Sequence, residues 1–316
     1  MFHEELKALV LTQREIAAWP QMAQVAEHAL SNSSHIWEWP VIACQSAGGR
    51  PTDALPGAAA AFCMILSISL VDDMLDEDPR GAHQQLGMAE TANLALAFQA
   101  AALRLLAEAR MTGARRAEAA DCLAELALST AYGQSLSTSE PGDEAAYWKV
   151  LRAKSTPFYT GVLRLGALIA NAPTEIVRAL GELGTLCGES AQLHDDLKDA
   201  FQAPASPDWR RGRGNLLILY ALTAEHPERA RFAELRDRVA DPEALHAAQQ
   251  ILIRCGAVSY CAFHIIRRYR ATQQILQSIP LPDPAPLARV LERQTASLDA
   301  LLAKLQLGPL TSLLPS

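Results

Sequence analysis

Apolar residues recur three and four positions apart along almost the whole chain, in segments rich in Ala, Leu, Glu, Gln and Arg. Alternating β-branched patterns are missing. The period is that of a helix, so the pattern predicts an all-α protein. Candidate helices cover residues 3–18, 20–31, 35–46, 53–76, 87–111, 113–136, 143–171, 173–200, 213–225, 241–278 and 284–306. Turn chemistry separates several of them: GGRPTD before the fourth, NAPTE with Thr174 as a cap before the eighth, and IPLPDPAP before the last. The stretch APASPDWRRGRG at 203–214 is a loop dense in Pro, Gly and charge. Nothing in the pattern marks a domain boundary. Residues 1–316 are therefore expected to form one domain, a single helical bundle.

Two acidic sets interrupt this pattern, each at the end of a long apolar run. In LVDDMLDEDPRG, residues 70–81, Asp72 and Asp76 are four apart and Asp73 and Asp76 three apart, so a helix presents the carboxylates on one side. AQLHDDLKDAF, residues 191–201, repeats the spacing with Asp195, Asp196 and Asp199. Carboxylates stacked this way repel by about 1 to 4 kcal/mol per pair at about 4 to 5 Å. A cation should sit among them. Magnesium fits, because it takes oxygen ligands, keeps several waters and is held by a few carboxylates together with substrate phosphates. If the acidic ends face each other across an apolar interior, the arrangement suits a substrate with a diphosphate head and a hydrocarbon tail.

Composition narrows the remaining classes. Half of the 316 residues are hydrophobic and 20% are charged, which allows a sizeable core. A formal charge of −7 argues against a nucleic-acid partner, since phosphate contacts need a basic face. The clusters Arg210, Arg211, Arg213 and Arg267, Arg268, Arg270 read as solvated surface. Six cysteines without a CxxC pair read as small buried hydrophobes in a reducing compartment, with no disulfide framework or zinc site. The N-terminal apolar residues are broken by charges, unlike a signal peptide, and no uncharged apolar run of 18 residues is expected elsewhere. A soluble, cytoplasmic protein without stable membrane insertion is the expectation.

The pair DDMLD and QLHDDLKD, with AKST between them and DWRRGRGNLLILYAL after, resembles the trans-isoprenyl diphosphate synthase family of class I isoprenoid synthases. The resemblance runs from about residue 35 to 225. It implies an isoprenoid synthase helical bundle with a central apolar cavity, three magnesium ions between the two motifs, ionisation of an allylic prenyl diphosphate, and a fold that often pairs as a homodimer. Asp72, Asp73 and Asp76 match the first motif, and Asp195, Asp196 and Asp199 the second, as catalytic residues. All of these but Asp196 are expected metal ligands. Lys154 with Ser155 resembles the Lys-Thr step, Gln192 the Gln before the second motif, Gly212 with Arg213 the Gly-Lys, and Arg80 with Gly81 the end of Arg-Arg-Gly. Cations at Arg80, Lys154 and Arg213 would offset charge building on the departing diphosphate.

The sequence departs from the family where chain elongation needs a second diphosphate site. Family members bind isopentenyl diphosphate through a Gly-Gly-Lys-Arg-x-Arg stretch, a His in the helix before the first motif, and an Arg of Arg-Arg-Gly. Here SNSSHIW at 31–37 stands where the basic stretch should lie, Ile65 falls at the His position, and one Arg of the pair is kept. A single ionised allylic diphosphate must then cyclise, lose a proton or capture water, which is terpene synthase chemistry. Phe62, Phe98, Phe158 and Tyr159 are candidate aromatic faces for a carbocation. Ser67 and Ile68, just before the first motif, are not aromatic and favour a tail of 15 or 20 carbons. The sequence thus favours a magnesium-dependent terpene synthase-like enzyme that releases pyrophosphate. The alternative is a prenyltransferase whose isopentenyl site uses other residues, such as Arg50 or His35. A lesser alternative is a noncatalytic partner subunit.

Overall fold

The helical period is carried into structure almost without exception. The computed structural model describes residues 2–32, 35–137, 140–210 and 214–304. Among the described residues there are sixteen α-helices and no strand. In chain order the first eight are α1 Phe2–Leu11, α2 Arg14–Ala17, α3 Pro20–Asn32, α4 Trp39–Ser46, α5 Leu55–Leu75, α6 His83–Leu86, α7 Met88–Glu108 and α8 Gly113–Leu136. The others are α9 Glu144–Lys154, α10 Thr156–Ile169, α11 Thr174–Ala200, α12 Leu216–Thr223, α13 Arg229–Arg236, α14 Pro242–Arg254, α15 Ala257–Ser278 and α16 Ala285–Lys304. The all-α expectation holds.

The differences from the sequence pattern have local causes. The helix expected over 143–171 is broken at Ser155, because Pro157 sits in the first turn of α10 and has no N–H to continue the ladder of α9. The helix expected over 241–278 breaks at Gly256, whose φ of 90° is left-handed. Residues 35–38 form a 3-10 turn ahead of α4, and the helix over 3–18 is cut where Thr12 Oγ1 bonds back to Ala8 O. Two helices give no periodic signal: α6 spans one turn, and α13 is charged around most of its circumference, burying only Phe232 and Arg236.

The chain divides into two compact units. The first comprises the described residues up to Ala131, with Pro157–Gly184 and Gln277–Ala288; the second comprises Tyr132–Thr156, Thr185–Leu276 and the described residues from Arg289 on. At the centre of the first unit α5 packs against α7. Ala58 to Ala61 are all fully buried, and such small side chains allow helices to approach closely. Residues 54–71 are in fact an uncharged run of 18, which corrects the expectation that no such run exists. The stretch Pro51–Leu75 has the length and mean hydropathy, 2.1, to cross a membrane, but 72% of the apolar window is buried inside the protein, as befits a core helix. The second unit is organised on α12, which is apolar all round and packs with Leu193 and Leu197 of α11, Trp209, Phe232 and Ile251.

Candidate active site

The first acidic set ends α5. Asp72 and Asp73 occupy its last turn and Asp76 is the C-cap, its N–H donating to Asp72 O at 2.8 Å. The chain then turns sharply through Glu77 at φ 51°. Asp78 folds back on Arg80, accepting from its backbone N–H at 2.8 Å, its Nε at 3.1 Å and its second guanidinium nitrogen at 2.8 Å. That contact holds the Asp78 carboxyl below the usual carboxylate range. The Asp73 carboxyl is raised instead, by burial and then by the charges of Asp78 and Asp72. Like-charge crowding of this kind is what a bound cation relieves.

A cavity of about 630 Å³ opens beside this turn, lined by Asp73, Asp78 and Arg80 on one side and by Gln24 and His28 of α3 on another. Phe62, Ile65, Leu66 and Leu70 of α5 form its apolar floor, and Phe62 stands edge-on to Trp37 at 5.2 Å between ring centroids. Of the expected tail residues, Phe62 lines this cavity. Phe98 is fully buried on α7, Ser67 is buried, Ile68 and Phe158 are half-buried, and none of the four lines it. Tyr159 stands edge-on to Trp39.

The second acidic set lies in the second unit, on α11. Asp195 is exposed, yet its carboxyl is raised, chiefly by the desolvation its surroundings impose, with His194 opposing and Asp199 adding. Asp196 points the other way and is fully buried. Its Oδ2 accepts from Tyr147 Oη at 2.6 Å and from Leu216 N at 2.7 Å, and its Oδ1 from Gln192 Nε2 at 2.9 Å. Burial pushes this carboxyl up to about 7 against the pull of those three donors. Gln192 Oε1 accepts from Ser155 Oγ at 2.7 Å, so the residue following Lys154 is tied directly to α11. Arg213 and Gly212 lie outside the described residues. The segment entering them is held by Arg236, which donates to Trp209 O and Arg210 O and pairs with Glu140.

The end of α9 is also fixed from α8. A Cβ added at Gly133 would lie 2.5 Å from Lys154 N and 2.7 Å from Ala153 C, both backbone atoms that cannot swing aside. Alanine at a helical glycine gains about 1 kcal/mol in propensity, whereas overpacking costs about 1 to 3 kcal/mol, so the clash prevails. Gly133→Ala is expected to lower the urea midpoint and to weaken diphosphate binding by displacing Lys154. An unchanged midpoint would mean that α9 yields without cost.

The donor set fits magnesium. It is oxygen-only, and among the described residues no three carboxylate, imidazole or thiol groups form a protein-built metal cage. Sites that hold magnesium through a few carboxylates, waters and substrate phosphate oxygens have this open character. Sequence reasoning missed Tyr147 and Asn215, which hold Asp196, and His28 and Gln24 beside the first set; each is a lone polar residue in a helical pattern, without a motif to single it out. Arg268, read in the sequence as solvated surface, is instead buried and donates to the buried Glu189 at 2.6 Å.

A model of the polyprenyl synthetase family matches residues 21–252. The geranylfarnesyl diphosphate synthase of Aeropyrum pernix is 25% identical over 199 residues, covering 59% of this chain and 62% of that protein. The chain thus matches less than two thirds of that relative's length. The geranylgeranyl diphosphate synthase of Methanosarcina mazei is 25% identical over 237 residues, covering 70% of this chain and 71% of that protein. Among solved structures, a polyprenyl synthase from Caulobacter crescentus CB15, complexed with calcium and isoprenyl diphosphate, superposes with a TM-score of 0.77 at 21% identity, over 92% of this chain and 91% of that one.

Proposed function

We propose, from the premise that the chain belongs to the polyprenyl synthetase family, that it is a magnesium-dependent prenyltransferase condensing isopentenyl diphosphate with an allylic prenyl diphosphate and releasing pyrophosphate. The supporting observation is the cavity beside the first acidic set. Two of the family's three determinants for the second diphosphate, the helix position held here by Ile65 and the retained Arg80, both line it. Where the family's basic stretch is missing, α3 brings His28 and Gln24 to the same wall. This reading is preferred to the terpene synthase one, which rested on three departures, the absence of Lys and Arg from 31–37, Ile65 at the His position and the single Arg kept, and did not weigh donors from α3.

In this reading Asp72, Asp73, Asp76, Asp195 and Asp199 hold magnesium for the allylic diphosphate. Bound magnesium supplies charge neutralisation at the diphosphate oxygens. Lys154, Gln192 and Arg213 donate to the leaving group as its charge grows, and Arg80 serves the incoming diphosphate. Phe62 faces the apolar part of the isopentenyl group. The enzyme works as a soluble cytoplasmic protein, and the exposed Leu96 and Leu103, one above the other on α7, suit burial in a homodimer.

A specific observation keeps a second reading in play: Arg80 is held by Asp78, and Asp73 shares the cavity, so the cationic excess there is small. A site that cannot hold two diphosphates would turn one allylic diphosphate into hydrocarbon or alcohol. Incubation with geranyl, farnesyl or geranylgeranyl diphosphate and magnesium, with and without isopentenyl diphosphate, separates the two. Longer diphosphates that form only with isopentenyl diphosphate are expected. Terpene products from the allylic substrate alone would overturn the prenyltransferase reading.

A further inference from the structure

The two faces of the second acidic set are built for different work. Asp195 and Asp199 retain accessible surface, while Asp196 is fully buried, with both carboxylate oxygens already accepting hydrogen bonds. Three donors on a carboxylate with about four lone-pair sites leave little for a metal ion, and zero exposure leaves no room for its water shell. The bonds lead to three elements. Tyr147 is on α9, two turns before Lys154; Gln192 is one turn earlier on α11; Leu216 opens α12, three residues after Arg213. The backbone carbonyl of Asp196 adds a fourth link, accepting from Asn215 Nδ2 at 2.8 Å. Asn215 also donates to Asp208 at 2.9 Å and caps α12 through Leu217 N and Ile218 N.

We infer that Asp196 is a positioning residue: its carboxylate fixes the amide of Gln192 and joins α9 to the start of α12, setting the place of Lys154. The consequence for Gln192 is specific. With Oε1 taken by Ser155 and one N–H by Asp196, one N–H is left to donate, and its direction is set by the other two bonds. An anion such as a diphosphate oxygen requires that donor, so the orientation of the amide matters as much as its presence. The inference rests on the proposed function only in naming diphosphate as what these residues meet.

The test compares Asp196→Asn with Asp195→Asn in the full chain. An asparagine at 196 turns an NH2 toward at least one of the three donors, so the network loses a bond while the volume is kept. For Asp196→Asn the magnesium concentration for half-maximal activity is expected to stay within about twofold of the parent, while KM for the allylic diphosphate rises about tenfold. The amide of Leu216, which donates to Asp196, is expected to exchange at least about tenfold faster in hydrogen exchange. Asp195→Asn should do the reverse, raising the magnesium requirement at least about tenfold with Leu216 exchange unchanged. Tyr147→Phe removes one donor without refilling the core and should give the Asp196→Asn signature at about a third of its size, which keeps the test alive if Asp196→Asn does not fold. A raised magnesium requirement in Asp196→Asn with unchanged Leu216 exchange overturns the inference. If the parent turns over no allylic diphosphate, the proposed function fails on its own, and the inference is still read from Leu216 exchange and from the thermal shift induced by magnesium and inorganic pyrophosphate.

Discussion

Replacing Asp72 or Asp195 by alanine is expected to lower pyrophosphate release by at least about a thousandfold without destabilising the protein. The activity loss follows from the donor set: each change removes one oxygen ligand from a site that has few, and the departing diphosphate then meets uncompensated carboxylates. The absence of a stability loss follows from electrostatics. Asp73 is raised in part by Asp72, and Asp195 in part by Asp199, so deleting one carboxylate relieves its neighbour in the metal-free protein. Thermal unfolding without magnesium should therefore show an equal or higher midpoint in both variants. Adding magnesium should raise the midpoint of the parent in the presence of pyrophosphate and do so far less in the variants. Full activity in either variant would remove the metal assignment.

Those aspartates were legible in the sequence because helical spacing converts a string of letters into a shared face, and because a charged face at the end of an apolar run is costly without a cation. Helices such as α7 and α11 were legible for the same reason, since each carries a long periodic pattern, whereas α5 is apolar all round and was legible from its length. What the pattern could not carry was the role of residues whose partners are distant in sequence. Tyr147 and Asp196 are 49 positions apart, and Arg268 and Glu189 are 79 apart. His28 reaches the cavity beside Asp73 from a helix whose sequence shows only amphipathic spacing. The reading of chemistry weighed three family positions, with no basic stretch at 31–37, Ile65 in place of the His and one Arg kept, whereas the side chains that α3 brings to the cavity are invisible to a motif search. The break at Ser155, by contrast, was signalled by Pro157 and overridden by the apolar periodicity on either side.

The largest stability effect is expected at the ion pair behind α9. Glu189 is buried on α11 and accepts from Arg268 Nε at 2.6 Å and from Arg152 Nε at 2.7 Å. Arg268 is itself buried, lies 4.2 Å from the centre of the Trp148 ring, and donates to His264 Nδ1, which places the histidine proton on Nε2. Arg268→Met would fill the volume but strand the Glu189 carboxylate with a single partner, Arg152, whose side chain is 59% exposed and screened by water. Removing one member of a buried pair costs about 3 to 5 kcal/mol, whereas loss of an exposed partner costs about 1 kcal/mol or less. Urea unfolding should rank the variants accordingly, with Arg268→Met far below Arg152→Met. The double variant Glu189→Leu/Arg268→Met decides the cause. If the cost is the stranded charge, the double variant regains much of the stability lost in Arg268→Met, since no buried ion is left without its partner; if the cost is lost packing on Trp148, the double variant is no better than the single one.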